Sequence, residues 1–242
     1  MGSDAGSEAT PGVAAEGEGP PVRDAATVIL VERSAGRPRV LMGQRGKAAA
    51  FMPEMFVFPG GALEKGDLAL AEAAPVDPET AARLAVATAP EVARALPLAA
   101  IRELWEETGL RLGRPDPEAA ARAAAAPETW RGFLATGLVP ATDALRLIFR
   151  AVTPPGRPRR FDARFFLAEA ERLASGATDF AFVDHELSAL QWIDLEAARR
   201  LPLPFITQVV IAELESHLEE PDAPRPVPWF IHDRRGSHVR MI

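Results

Sequence analysis

The chain has 242 residues, 48% of them hydrophobic, and a formal charge of −7. That length suits one domain with elaborations or two small ones, and the acidic balance argues against a nucleic-acid partner held by a broad basic face. Cysteine is absent, which removes disulfides, thiolate nucleophiles and cysteine-ligated metals and fits a reducing cytoplasm.

No run of 18 apolar residues occurs, so no spanning helix and no membrane partner are expected. The N-terminus has no basic region followed by an apolar run, so it does not read as a secretory signal. Residues 1–23 are mostly Gly, Ala, Glu, Ser and Pro and predict a disordered tail. The segment AATVILVE (25–32) is β-branched and apolar and predicts a buried strand. RVLMGQR (39–45) predicts a second strand after the turn-like SAGRP, and MFVFPGG (55–61) a third, broken by Pro-Gly-Gly. Residues 68–97 are Ala-rich, with Pro at 75, 78, 90 and 97, and predict short helices joined by turns. LAAIRELWEETGL (98–110) places Leu98, Ile101, Leu104 and Trp105 at helical spacing, with Gly109 as its stop.

Further on, residues 115–136 read as helical. LRLIFRAVTPP (145–155) and RFDARFFLAEA (161–171) read as strands around the basic turn GRPRR. LSALQWIDLEAARRL (187–201) passes from strand to helix, and LPFITQVVIAELESHL (203–218) is a long amphipathic helix. A Pro-rich tail with PWFIHD (228–233) closes the chain. The order is mixed, which predicts a mixed sheet covered by helices, an α/β (α+β) architecture. A domain over 24–220 is expected, followed by an extension over 221–242.

On the helix over 98–110, Glu103, Glu106 and Glu107 stand at i, i+3 and i+4 and share one face. Like charges at that spacing repel, so either water solvates the stripe or a cation sits on it. Magnesium takes oxygen ligands and keeps several waters, so carboxylates plus substrate phosphates suit it. Arg102 lies beside this face and can fix a carboxylate through a bidentate contact. The Pro-Gly-Gly loop lets backbone approach another element closely, and Glu64 and Asp67 follow it.

Taken together, Gly61, five residues, Asp67, and then Arg102-Glu103-Leu104-x-Glu106-Glu107-x-Gly109-Leu110 resemble the Nudix hydrolase signature. That signature reads Gly, five residues, Glu, seven residues, then Arg-Glu-apolar-x-Glu-Glu-x-Gly-apolar. The second half matches at every specified position. The first acid is Asp67 instead of Glu. Residues 68–101 fill the gap, 34 positions where the family has seven. Loop closure costs little per added residue, so the two halves are expected to form one site, with 68–97 leaving and returning as a helical insert. The resemblance covers roughly residues 24–215 and implies a Nudix-type α/β/α sandwich. The FPGG, the insert and RRFDARFF look most like the subgroup that includes coenzyme A diphosphatases.

The resemblance implies a pyrophosphohydrolase using Mg2+ or Mn2+. Its substrate would be a nucleoside diphosphate linked to another group, with coenzyme A or acyl-coenzyme A first and ADP-ribose, NADH or dinucleotides as rivals. Gly61, through its carbonyl, and Glu103, Glu106 and Glu107 are the expected metal ligands, and Arg102 orients them. Glu64 and Asp67 would pair with Arg102 or hold a metal through water. The general base is Glu103 or a Glu from a later loop, Glu186 ahead of Glu169. Arg45 and Arg160 are the expected substrate contacts. Trp105 is assigned to the core. A homodimer follows by analogy only. A non-catalytic nucleotide sensor on the same fold is the rival of another class.

Overall fold

The computed structural model describes residues 20–33, 36–47, 53–174, 176, 180, 187–221, 223–233 and 236–242. Its strands are β1 (Val22–Glu32), β2 (Arg39–Arg45), β3 (Phe56–Val57), β4 (Gly60–Ala62), β5 (Gly113–Pro115) and β6 (Leu138–Pro140). They continue with β7 (Arg146–Val152), β8 (Arg160–Glu169), β9 (Leu187–Asp194), β10 (Pro228–Asp233) and β11 (Gly236–Met241). The helices are α1 (Lys65–Leu70), α2 (Pro78–Leu84), α3 (Pro90–Thr108), α4 (Ala119–Ala123), α5 (Glu128–Ala135), α6 (Leu195–Ala198) and α7 (Phe205–Glu219).

The main sheet runs β11-β10-β7-β8-β1-β2-β3, with β4 also on β1 and β9 also on β2. β1 pairs with β8 and β7 with β10 in parallel, and the remaining pairs are antiparallel, so the sheet is mixed as expected. β1 is buried on both faces, which explains its nearly continuous apolar run. Ala26, Val28 and Leu30 pack with Ile101 and Leu104 of α3. Ile29 and Val31 pack with Val210, Ile211 and Leu214 of α7. The sheet therefore separates two cores, giving the α/β/α layering predicted above.

Four stretches differ from the expectation. First, α3 begins at Pro90, so residues 90–97 are the opening turns of the carboxylate helix and not part of a separate excursion. Pro90 at the first turn favours that start. Pro97 sits inside the helix, where a proline removes a hydrogen bond and costs roughly 3 kcal/mol. Burial of Ala95, Leu96, Pro97 and Leu98 offsets that cost. Second, the C-terminal segment read as a tail is a hairpin, β10–β11, that extends the main sheet beyond β7. Its anchor is Trp229, which is buried with the Arg150 guanidinium 3.9 Å from the ring centroid. Third, a two-stranded sheet, β5–β6, brackets α4 and α5. Fourth, β1 starts at Val22, inside the range assigned to the tail; residues 1–19 lie outside the described residues.

Candidate active site

The site begins at the loop from β3 to β4. Val28 N–H donates to the Pro59 carbonyl at 2.9 Å, and Gly60 and Gly61 lie opposite Thr27 and Ala26. A side chain on Gly60 would collide with the Ala26 carbonyl and the Thr27 backbone, and one on Gly61 would overlap the Glu103 carboxylate. The glycine pair is thus a condition for β4 to sit against both β1 and α3.

Helix α3 supplies the acids, and Gly109 in the left-handed region ends it, its N–H donating to the Trp105 carbonyl at 2.8 Å. Arg102 is the hub and is only 2% exposed. Its Nε donates to Asp67 Oδ1 at 3.0 Å, and its Nη2 to Asp67 Oδ2 at 3.1 Å and to the Ala62 carbonyl at 2.8 Å. Its Nη1 donates to Glu103 Oε1 at 2.9 Å and to Glu106 Oε2 at 2.8 Å. Asp67 is fully buried and also accepts from Trp130 Nε1 at 3.1 Å and from Glu64 N–H at 2.9 Å. A buried carboxylate with this many donors is well compensated. Glu107 accepts from Gly60 N–H at 2.9 Å. The two sequence halves, glycine loop with Asp67 and Arg102 with its glutamates, therefore meet in space.

Burial pushes the Glu103 carboxyl up to about 7, against the opposing pull of Arg102. Burial also raises Glu106, again opposed by Arg102, with Glu64 and Asp67 adding to the rise. Burial works against the Arg102 charge, but the Asp67 hydrogen bond and the surrounding carboxylates outweigh it and hold Arg102 firmly protonated. Three carboxylates thus gather around one guanidinium, and Glu107 of the same helix is held by Gly60. Among the described residues, no three acidic or histidine side chains converge into a ready-made metal cage. Here Arg102 draws Glu103 and Glu106 to itself, and Gly60 holds Glu107. The donor chemistry nevertheless fits a hard divalent cation: the clustered carboxylates outnumber the one guanidinium they face, and burial drives Glu103 toward the neutral form despite Arg102.

Beside the acids lies a cavity of about 300 Å³. Gly60, Gly61 and Glu103 form one part of its wall, and Ala25, Thr27, Phe161, Ala163 and Phe165 of β1 and β8 form another. Arg45 also lines it. Arg160 does not line it; its Nε donates to the Thr153 carbonyl at 3.2 Å, and Arg159 lines the cavity instead. Arg23 lines it too, and the sequence reading passed it over. Nothing local separated Arg159 from Arg160, because Arg159 lies in the bend before β8, where strand alternation does not yet hold. The buried Trp130, which donates to Asp67, was likewise unmarked, since nothing in its local sequence ties it to residue 67. Trp105 packs edge-on to Phe133 at 6.0 Å, as a core residue should. Glu186 lies outside the described residues. Glu169 pairs with Arg33 at 2.8 Å in an exposed bridge.

No family model matches the chain. It is 28% identical over 181 residues to nudix hydrolase 7 of Caenorhabditis elegans, covering 71% of this chain and 51% of that protein. The chain thus spans about half the length of that curated relative. A crystal structure of a NUDIX hydrolase from Alicyclobacillus acidocaldarius superimposes with a TM-score of 0.62 at 29% identity, covering 79% of this chain and 90% of that one.

Proposed function

We propose, on the premise that this chain belongs to the Nudix hydrolase family, that it is a metal-dependent pyrophosphohydrolase acting on a nucleoside diphosphate linked to another group. The observation that carries this reading is the Arg102 hub, which gathers Asp67, Glu103 and Glu106 beside Glu107 and the Gly60–Gly61 loop. The Gly61 carbonyl, Glu103, Glu106 and Glu107 are the groups that would hold Mg2+ or Mn2+. When bound, such a cation polarises phosphoryl oxygens, lowers the pKa of water and offsets developing negative charge. The chain's own part is positional. Arg102, pinned by Asp67 and the Ala62 carbonyl, sets where Glu103 and Glu106 point. Gly61 keeps the carboxylate in contact with the cavity wall. Glu103 is the candidate to receive the proton of the attacking water, with Glu186 as the alternative.

Coenzyme A or acyl-coenzyme A is the first substrate choice, resting on the FPGG, the insertion between Asp67 and Arg102, and RRFDARFF. A panel of coenzyme A, acyl-coenzyme A, ADP-ribose, NADH and dinucleoside polyphosphates tests this, with magnesium or manganese and products identified by mass spectrometry. Release of 3′,5′-ADP and phosphopantetheine, lost in Glu107→Gln, is the expected result. Cleavage of another member discards the coenzyme A choice. Absence of metal-dependent cleavage across the panel favours the nucleotide-sensor reading.

A further inference from the structure

The cavity has two chemically opposite parts. One carries Glu103 and the β4 glycines. The other lies where β1 and β8 begin. These strands run in parallel, with Arg23 opposite Phe161 and Ala25 opposite Ala163. Gly61 is opposite Ala26, three residues along β1 from Arg23, a backbone distance of roughly 10 Å at strand rise. Between the two parts the floor is apolar: Ala25, Ala163 and Phe165.

At the strand starts, Arg23 and Arg159 both face the cavity. Neither side chain has an ion pair or hydrogen bond among the described residues. Their neighbours differ. Arg150 and Arg164 are spoken for by Asp162 and Asp24, and Arg160 by the Thr153 carbonyl. Arg159 is also held in place. The turn that carries it is closed by Thr153 N–H on the Phe161 carbonyl at 2.8 Å and Phe161 N–H on Thr153 Oγ1 at 3.0 Å. Two guanidinium groups that line one cavity and have no counter-charge among the described residues form a positive region suited to a phosphate.

We propose that Arg23 and Arg159 form an anion subsite that selects nucleotides carrying a phosphomonoester apart from the scissile diphosphate. This deepens the pyrophosphohydrolase reading and rests on it for the meaning of the second phosphate. The acids at one part of the cavity repel a phosphate unless a cation is present, whereas the arginine part attracts one directly. The two phosphate-bearing ends of such a molecule are therefore told apart, and the apolar floor and Phe161 receive what joins them.

Binding tests the subsite without turnover. Titration calorimetry in magnesium would compare adenosine 3′,5′-bisphosphate, adenosine 2′,5′-bisphosphate and adenosine 5′-monophosphate. At least one bisphosphate is expected to bind about 10-fold to 100-fold more tightly than the monophosphate. That preference is expected to vanish in the Arg23→Gln/Arg159→Gln double variant and to survive in Arg157→Gln, an exposed residue of the same turn outside the cavity wall. Both targets are exposed, and thermal melts of the variants matching wild type are expected. Equal affinities for all three probes, no binding of either bisphosphate, or a preference that persists in the double variant would overturn the subsite. Turnover with equal affinities would sink the subsite alone. A bisphosphate preference without turnover on any substrate would sink the hydrolase reading alone.

Discussion

Two buried arginine networks among the described residues differ in charge balance. Around Arg102, three carboxylates gather about one guanidinium, Glu103 is pushed up to about 7, and the cluster opens onto a cavity. Around Arg150 and Arg164, two guanidiniums meet two carboxylates. Arg150 donates to both oxygens of Asp162, at 2.9 and 2.6 Å, and to the Val86 carbonyl at 2.7 Å. Arg164 donates to Asp24 at 2.5 Å and to Thr88 Oγ1 at 3.0 Å. Burial lowers the Arg164 pKa, helped by Arg150, while Asp162 and Asp24 resist. Trp229 closes that network over Arg150. The balanced network ties the segment before α3 and the C-terminal hairpin to the sheet. The unbalanced one has carboxylate charge left over for a cation. Similar residue types thus serve as a clamp in one place and a candidate metal site in the other.

The largest expected contrast comes from removing one carboxylate at each place. Glu107→Gln is expected to lower metal-dependent hydrolysis by roughly 10²–10³-fold with an unchanged melt, whereas full activity in this variant would remove the metal-site assignment. Asp162→Ala should do the reverse. Breaking a buried pair from one side costs roughly 3–5 kcal/mol, so chemical denaturation should show a large loss of stability, while activity per folded molecule stays near wild type. If Asp162→Ala instead abolished activity in a stably folded protein, the comparison between clamp and site would collapse.

A smaller effect is expected from Gly61→Ala. Its Cβ overlaps the Glu103 carboxylate, so metal affinity should fall by roughly 10–100-fold, read by calorimetric titration with Mn2+. Unchanged affinity would show that β4 and α3 can part without consequence.

The subtlest test is pH. Folded Glu103 titrates at about 7 against an ordinary 4.5, so the folded protein keeps a proton that the unfolded chain releases. Its stabilising contribution is full below about 4.5 and is lost as pH rises through 7. Buried His217 runs the other way: burial depresses it to about 4 from 6.5, so stability is lost as pH falls through that interval. Burial also raises Glu106 and Glu213, which act in the same direction, so comparison with Glu103→Gln isolates the share of Glu103. Melting temperature of the metal-free protein should therefore fall from pH 6.5 to 8 more in wild type than in Glu103→Gln. Identical curves would show that Glu103 is not the group being pushed.

Much of the site was legible because its information is local. Glu103, Glu106 and Glu107 share a face by helical spacing alone, and Gly109 ends the helix where a left-handed residue is needed. The strands from 25–32, 39–45 and 161–171 and the long helix ending at 218 also follow from periodicity. What failed was non-local. Pro97 read as a boundary, because a proline usually ends a helix, yet burial of its neighbours outweighs that preference. Arg160 was chosen over Arg159 because the turn offered no face until β8 was paired with β1. Residues 228–241 read as a tail because nothing local announces that Trp229 slides under Arg150.

By itself, then, the sequence determined the acids, their shared face, the glycine loop and the mixed order of strands and helices, since each depends on contacts within a few residues. The tertiary structure alone decided that Asp67 and Arg102 meet across the residues between them, that Trp130 supports the pair, and that Arg23 and Arg159 reach one cavity. Those outcomes depend on sheet register and on burial, and both are set by residues far apart in the chain.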